Sequence, residues 1–96
     1  MAAYLIARLA VSEPEALAGY LKATPPVVAK YRGTFIARGG ATVTFEGPQE
    51  NRRIVLIEFP TLDDAKVFYH SPQYAAARKL REGIAVAELM AVDGVR

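Results

Sequence analysis

The sequence predicts an α+β fold in which two β-α-β units share one antiparallel sheet. Two observations support this prediction. Four strand-like stretches flank two helical regions in the order β-α-β, β-α-β, at residues 2–11, 34–38, 54–59 and 85–92. The two halves also repeat one local pattern, which matches Ser12 with Thr61, Glu15 with Asp64 and Tyr20 with Tyr69 at a constant spacing. A doubled β-α-β order is the split β-α-β, or ferredoxin-like, arrangement.

The first helical region begins at "SEPE", where Ser12 is the predicted cap and Glu15 completes a capping box three residues later. Proline disfavours helix at the residue before it. The sequence therefore predicts that Thr24 ends the first helix and caps a second helix that starts at Pro25. Gly33 is the predicted end of this helical region.

The second helical region begins at "TLDD", where Thr61 is the predicted cap and Asp64 follows three residues later. We expect the helix to break at "HSP" and to restart at Pro72, with Ser71 as its cap. Gly83 is the predicted end of the second helical region.

Alternation along the strands predicts that the two faces of the sheet differ. One face collects apolar and often small residues, which suits packed helices: Leu5, Ala7, Leu9, Phe35, Ala37, Val55, Ile57, Phe59, Ala87, Leu89 and Ala91. The opposite face collects Tyr4, Ile6, Arg8, Thr34, Ile36, Arg38, Ile54, Leu56, Glu58, Val86, Glu88, Met90 and Val92. Each strand therefore places one charged residue on the second face.

The ferredoxin-like strand order predicts a ladder of alternating charges across the second face, in the order Glu88, Arg8, Glu58, Arg38. Opposite charges on neighbouring strands stabilise a sheet. The position of Arg38 depends on residues 39–53, which could contain a bulge or a further strand.

The second face is too apolar for a surface exposed to water, so we expect a second copy of the chain to cover it. Two sheets facing each other would form a dimeric α/β barrel. Two interpretations of the ladder remain open. The charges pair with one another at the dimer interface, or they line a polar pocket that binds a small acidic or carbonyl ligand through Arg38 or Arg8.

The stretch "FYHSPQY" holds the only histidine, His70, beside Ser71. A catalytic serine needs an imidazole within reach and a third group that orients the imidazole. Adjacent residues at a helix break rarely achieve this geometry, so we interpret Ser71 as a helix cap. His70 would then lie at a helix C-terminus, and Tyr74 would border the core or a cleft.

Composition excludes several classes of function. The chain has 12 basic and 10 acidic residues and a net charge of +2, with no basic block that would favour nucleic acid. It has no cysteine, and one histidine gives no metal-ligand spacing. No apolar run is long enough to span a membrane. We expect one cytoplasmic domain, residues 1–96, without metal or organic cofactor.

The sequence resembles domain-of-unknown-function family 1330, in the dimeric α/β-barrel superfamily. The resemblance rests on "KYRGTFIARGG", "FEG", "IVLIEFPTLDDA" and "FYHSPQY" with the following "AAARKLR", and it covers nearly the whole chain. It implies a ferredoxin-like protomer and a homodimer. It implies no particular activity, because fold likeness does not define chemistry.

Two functional hypotheses follow. The first is a small homodimeric protein that binds or transforms a small carboxylate, oxo or aromatic compound without a cofactor. Its candidate ligand-contacting residues are Arg8, Arg38, Glu58, His70 and Tyr74. The alternative is a non-catalytic dimeric module with a structural or regulatory role. RNA binding is disfavoured, because the second face offers Ile6, Leu56 and Glu58 where stacking aromatic residues are needed.

Overall fold

The computed structural model describes residues 2–95. Its elements in chain order are β1 (Ala3–Val11), a short 3₁₀ helix (Pro14–Leu17), α1 (Ala18–Lys30), β2 (Thr34–Arg38), β3 (Arg53–Phe59), α2 (Leu62–Tyr69), α3 (Pro72–Lys79) and β4 (Ala85–Asp93). The four strands form one antiparallel sheet in the order β2-β3-β1-β4. The predicted ferredoxin-like fold is confirmed.

The core lies between the helices and one face of the sheet. Alternate residues of β1 and β3 are buried there, as the strand period of two requires. Aromatic side chains fill the centre, with ring centroids 5.3 Å apart for Phe59 and Phe68 and 4.7 Å apart for Phe68 and Tyr74. This cluster joins β3, α2 and α3 and fixes the position of the helices on the sheet.

The capping box predicted at the start of the first helical region is wrong. Glu13, not Ser12, occupies the cap position, and no side chain accepts a hydrogen bond there. The Ser12 hydroxyl instead donates to the Ile84 carbonyl at 2.9 Å, as does the Ser12 backbone N–H. Ser12 therefore joins the end of β1 to the start of β4, a long-range contact that the local motif cannot reveal.

The predicted helix break at Thr24 is also wrong, because α1 continues through Pro25 and Pro26 to Lys30. A proline inside a helix has no N–H and leaves the carbonyl four residues earlier without its usual donor. Arg38 replaces that donor for Pro25: its Nη2 donates to the Leu21 carbonyl at 2.5 Å and to Thr24 Oγ1 at 3.3 Å.

Arg38 reaches α1 because β2 contains a β-bulge. Phe35 pairs with Ile57, but Ala37 pairs with Leu56 and Arg38 with Val55, so Ile36 is an extra residue. The shift by one residue turns Arg38 to the helix side of the sheet, where its guanidinium lies 4.5 Å from the Phe35 ring centroid. The same shift turns Ala37 to the opposite face of the sheet, which the helices leave uncovered and which we call the open face. The predicted sheet faces of Arg38 and Ala37 are therefore both wrong.

The predicted charge ladder is confirmed only for its first pair. Arg8 lies opposite Glu88 on β4 but opposite Ile54 on β3. Glu58 lies opposite Tyr4 and Thr34, four residues along the sheet from Arg8. The order Glu88, Arg8, Glu58, Arg38 therefore does not exist, because the strand order predicts which strands are neighbours but not their register.

Helix α1 ends at Lys30, before the predicted end at Gly33. Arg32 takes the left-handed conformation with φ of 67°, and the Gly33 N–H donates to the Val28 carbonyl at 2.8 Å. A Cβ at Gly33 would lie 2.8 Å from side-chain atoms of Phe59 and Val28. Gly33 therefore serves close packing against the sheet, and Arg32 makes the turn.

Both caps predicted in the second helical region are confirmed. Thr61 Oγ1 accepts a hydrogen bond from the Asp64 backbone N–H at 3.1 Å and donates to its carboxylate at 2.9 Å. Helix α2 ends at Tyr69, and α3 starts at Pro72 as predicted. Helix α3 ends earlier than predicted, at Lys79, and Gly83 lies in the following turn with φ of 77°.

We expect Arg38→Met to lower the free energy of unfolding by about 1 kcal/mol, because the Leu21 carbonyl then lacks its protein donor. In a Pro25→Ala background residue 25 regains an N–H for that carbonyl, so the same substitution should cost much less. Denaturant melting of the parent, the two single variants and the double variant measures this coupling.

Pro26→Ala is the matched control for this cycle. Pro26 deprives the Lys22 carbonyl of its helical donor, and Arg38 does not bond to that carbonyl. The cost of Arg38→Met should therefore be the same in the parent protein and in the Pro26→Ala background. An equal cost in the Pro25→Ala background would show that Arg38 does not compensate for the proline.

Candidate functional site

A cleft of about 430 Å³ opens between α2 and α3 on one side and β1 and β4 on the other. Its apolar lining consists of Leu5, Ala65, Ala87, Leu89, Met90 and Ala91, and its polar lining of Lys66, Tyr69, His70, Arg78 and Arg81. The alanines leave space because their side chains are short. None of these lining residues is acidic. We call this space the α2–α3/β4 cleft.

Arg81 is the most buried polar residue of the α2–α3/β4 cleft, with 8% of its surface exposed. Its guanidinium carbon lies 5.5 Å from the Tyr20 ring centroid, a cation–π contact. Within residues 2–95 its Nε has no hydrogen-bond partner, and no carboxylate forms an ion pair with it. The cleft wall therefore holds a buried positive charge that no acidic side chain neutralises.

Two buried tyrosines lie behind Arg81. The hydroxyl oxygens of Tyr20 and Tyr74 are 2.7 Å apart, and their rings meet edge to face. Burial, with a further contribution from Tyr74, raises the pKa of Tyr20 well above its ordinary value. Burial alone would lower the pKa of Arg81, but the Tyr74 and Tyr20 hydroxyls outweigh it and raise that pKa. The Tyr20 phenol therefore stays protonated and Arg81 stays charged at neutral pH.

Tyr69, His70 and Arg78 form the rim of the cleft. Arg78 Nη1 donates to the Tyr69 hydroxyl at 2.8 Å, and its guanidinium lies 5.2 Å from the centroid of that ring. The exposed His70 ring meets the Tyr69 ring edge to face at 5.3 Å. The side chain of Arg78 is thus already engaged, whereas His70 faces water at the cleft mouth.

Ser71 is a helix cap, as predicted, and not a partner of His70. Its Oγ accepts a hydrogen bond from the Tyr74 backbone N–H at 3.0 Å and donates to the Phe68 carbonyl at 2.7 Å. Ser71 is buried and both bonds are local. Its hydroxyl proton is used in the cap, so the Ser–His arrangement needed for nucleophilic catalysis is not formed.

The structure distributes the predicted ligand-contacting residues over three places. His70 lies at the rim of the cleft. Tyr74 and Arg38 line a separate inner cavity of about 30 Å³ between α1 and the sheet. Arg8 and Glu58 lie on the open face, away from the helices. A common site for the five residues is therefore not formed, and the ligand-binding role of each one stays a prediction.

Arg81 was not predicted as a site residue, although the sequence carries a signal for it. Tyr74, Ala77 and Arg81 follow the spacing of three and four residues that defines one helix face, and all three are buried. This spacing could have placed Arg81 on the buried side of the helical region.

A second polar cluster lies at one end of the open face. Glu50 accepts two hydrogen bonds from the Arg52 guanidinium, at 2.8 and 2.9 Å, and lies 3.5 Å from Arg8. Arg52 also donates to Glu88 at 2.6 Å. Glu50 and Arg52, at the end of the segment between β2 and β3, thus provide the charges that pair with Arg8 and Glu88.

Glu50 gives this cluster a pH dependence. Hydrogen bonds from Arg52 hold the pKa of Glu50 at about 2, below its ordinary 4.5. A carboxylate whose pKa is lowered by folding stabilises the protein above its unfolded-state pKa and loses this effect as the pH falls through the folded-state pKa. The contribution of Glu50 should therefore disappear between about pH 4.5 and pH 2.

We expect Glu50→Gln to reduce the loss of stability between pH 4.5 and pH 2, measured by denaturant melting at each pH. The effect should be small, because the cluster remains partly open to water. Glu46→Gln is the control, since the exposed Glu46 lies in the same segment outside the cluster. Identical pH profiles for the parent and Glu50→Gln would contradict the assignment.

The fold and the cleft place the chain among ferredoxin-like α+β proteins with a pocket between helices and sheet. Residues 2–95 match the family described as "Domain of unknown function (DUF1330)". The chain belongs to the DUF1330 family, as the sequence resemblance indicated. A search of the curated proteins finds no match.

Several solved structures share this fold. RPA0582 from Rhodopseudomonas palustris, a protein of unknown function, has a TM-score of 0.74 and 21% identity, over 99% of this chain and 83% of its own. SnoaB from Streptomyces nogalater, a cofactor-independent oxygenase, has a TM-score of 0.71 and 14% identity, over 99% and 94%. A dimeric protein of unknown function from Bacteroides fragilis has a TM-score of 0.67 and 18% identity, over 97% and 96%.

Two further observations concern residues 2–95. No helix in this part of the chain is both long and apolar enough to cross a bilayer. The same residues contain no group of three or more histidine, cysteine, aspartate or glutamate side chains that could hold a metal ion.

Proposed function

We propose that the α2–α3/β4 cleft binds a small carboxylate, oxo or aromatic compound. The observation that supports this proposal is the composition of the cleft, which combines an apolar floor with a cationic rim and has no acidic lining residue. Ligand pockets for small molecules are typically mostly apolar, with a few polar groups that orient the ligand, and measure about 300–1,000 Å³. A volume of about 430 Å³ fits a ligand of one or two rings.

The cleft also offers acid–base chemistry without a cofactor. His70 lies at its mouth, and histidine is the side chain that most often serves as a general acid or base in enzymes. SnoaB, which has the same fold, is a cofactor-independent oxygenase. By analogy, we propose for this chain a reaction in which His70 accepts a proton from a bound phenol or enol. The alternative is a module that binds the ligand without transforming it.

We expect benzoate, 1-naphthoate, 1-naphthol or cyclohexanone to raise the melting temperature of the protein, because a ligand that binds only the folded state stabilises it. Ala91→Phe should abolish the shift, since the ring would fill the cleft floor. Ala76→Phe is the matched control, because exposed Ala76 lies on α3 outside the cleft. If no compound of these three classes causes a shift, the proposed ligand class is wrong.

Oxygen uptake in the presence of a ligand that binds distinguishes the enzyme from the non-catalytic module. An oxygenase should consume oxygen with 1-naphthol, and His70→Gln should slow the consumption while leaving the melting shift in place. Binding without any turnover would favour the non-catalytic module.

We further propose that two copies of the chain associate through the open face of the sheet. Large apolar side chains are exposed there, including Ile36 (49%), Met90 (54%) and Val92 (46%). Val43 and Phe45, in the segment between β2 and β3, are also exposed, at 72% and 91%. Apolar patches of this kind mark association surfaces. The ferredoxin-like protein from Bacteroides fragilis is a dimer, which supports this proposal.

Light scattering at micromolar concentration should therefore give twice the 10.4 kDa mass of one chain. Ile6→Glu should shift the mass toward one chain, because Ile6 lies between Leu56 and Met90 at the centre of the open face. Val67→Glu is the control, since Val67 is exposed on α2, on the opposite side of the sheet. A parent protein with the mass of one chain would contradict the dimer.

A further inference from the structure

The proposed function leaves three ligand classes open, and the surroundings of Arg81 select one of them. We infer that the α2–α3/β4 cleft prefers monocarboxylates with an apolar body, and that Arg81 binds the carboxylate. This inference rests on the proposed function and specifies its ligand.

The first step is the charge balance of Arg81. Removing a charged group from water is unfavourable unless an opposite charge or several hydrogen bonds compensate. The Tyr20 ring compensates in part through its cation–π contact with the guanidinium. Since no described carboxylate pairs with Arg81, a carboxylate in the cleft would provide the missing opposite charge.

The second step compares Arg81 with the other cations of the cleft. Lys66 has an exposed side chain that lies 3.8 Å from the Asp63 carboxylate. Arg78 is bound to the Tyr69 hydroxyl and stacks on its ring. Charge interactions are stronger where water is excluded, and Arg81 is the most buried of the three. Arg81 is therefore the cation with the greatest unused capacity for an anion.

The third step concerns the shape of the ligand. The guanidinium is a planar fork that matches a carboxylate and is fixed here against the Tyr20 ring. Leu5, Leu89 and three alanines form the apolar part of the cleft beside it. A ligand with one carboxylate and a flat hydrocarbon body uses both features. A neutral ketone or phenol does not use the charge of Arg81.

Benzoate and benzamide test the inference, because they share size and shape but differ in charge. We expect titration calorimetry on the full chain at pH 7 to show benzoate binding at least tenfold more tightly than benzamide. Arg81→Gln should weaken benzoate binding at least tenfold and change benzamide binding less than twofold. Arg81→Lys, which keeps the charge, should restore part of the benzoate affinity.

Lys79→Gln is the matched control, because exposed Lys79 carries the same charge on α3 outside the cleft. It should leave benzoate affinity unchanged. Melting curves show whether each Arg81 variant is folded. If a variant does not fold, the comparison of benzoate with benzamide on the parent protein still tests the preference for carboxylates. Equal affinity for the two ligands overturns the preference for carboxylates and leaves the proposed function intact. Failure of the whole ligand panel overturns both.

Discussion

A guanidinium from the sheet replaces one of the two backbone donors that consecutive prolines remove from helix α1. The β-bulge at Ile36 turns Arg38 to the helix side, and Arg38 then bonds to the Leu21 carbonyl and to Thr24. Without this contact the helix would be expected to kink or end near Pro25. One irregularity in a short edge strand thus fixes the first helix on the sheet. The position of Tyr20 on α1, and with it the hydrogen bond between Tyr20 and Tyr74, depends on this arrangement.

The cleft also depends on the position of α1. Tyr20 belongs to α1 and Tyr74 to α3, and Arg81 follows α3, so the charged wall of the cleft is assembled from both halves of the chain. The Tyr20 ring packs against the Arg81 guanidinium and holds it in place. A buried charge held in this way is costly for folding alone. The cleft therefore has a polar group fixed in advance beside an apolar floor, which would lower the ordering cost of binding the proposed ligand.

Features whose causes are local were predictable from the sequence. The caps at Thr61 and Ser71 bond to residues three positions away, and both were predicted correctly. The predictions that failed depend on distant partners. Ser12 bonds to Ile84, and the proline break is prevented by Arg38, 14 positions after Thr24. The charge ladder failed because strand order does not determine register, and one extra residue moves every following side chain to the other face. The cleft was only partly predictable: His70, which lines it, was named, but Arg81 was missed, because a positive charge near a helix end is normally solvated.

The proposed dimer surface and the cleft meet at β4. Strand β4 is an edge of the sheet, and Met90 both lines the cleft and is exposed on the open face. A second copy that covers the open face would contact this residue and so shape one wall of the cleft. Two binding events that share a side chain are coupled, and the coupling is reciprocal: a ligand that favours one position of Met90 changes the affinity between the two copies by the same factor as dimerisation changes ligand affinity. Arg81 is buried, with 8% of its surface exposed, whereas Met90 is exposed on the open face. The partner would therefore contact the apolar lining of the cleft at Met90 and leave the proposed carboxylate anchor unchanged.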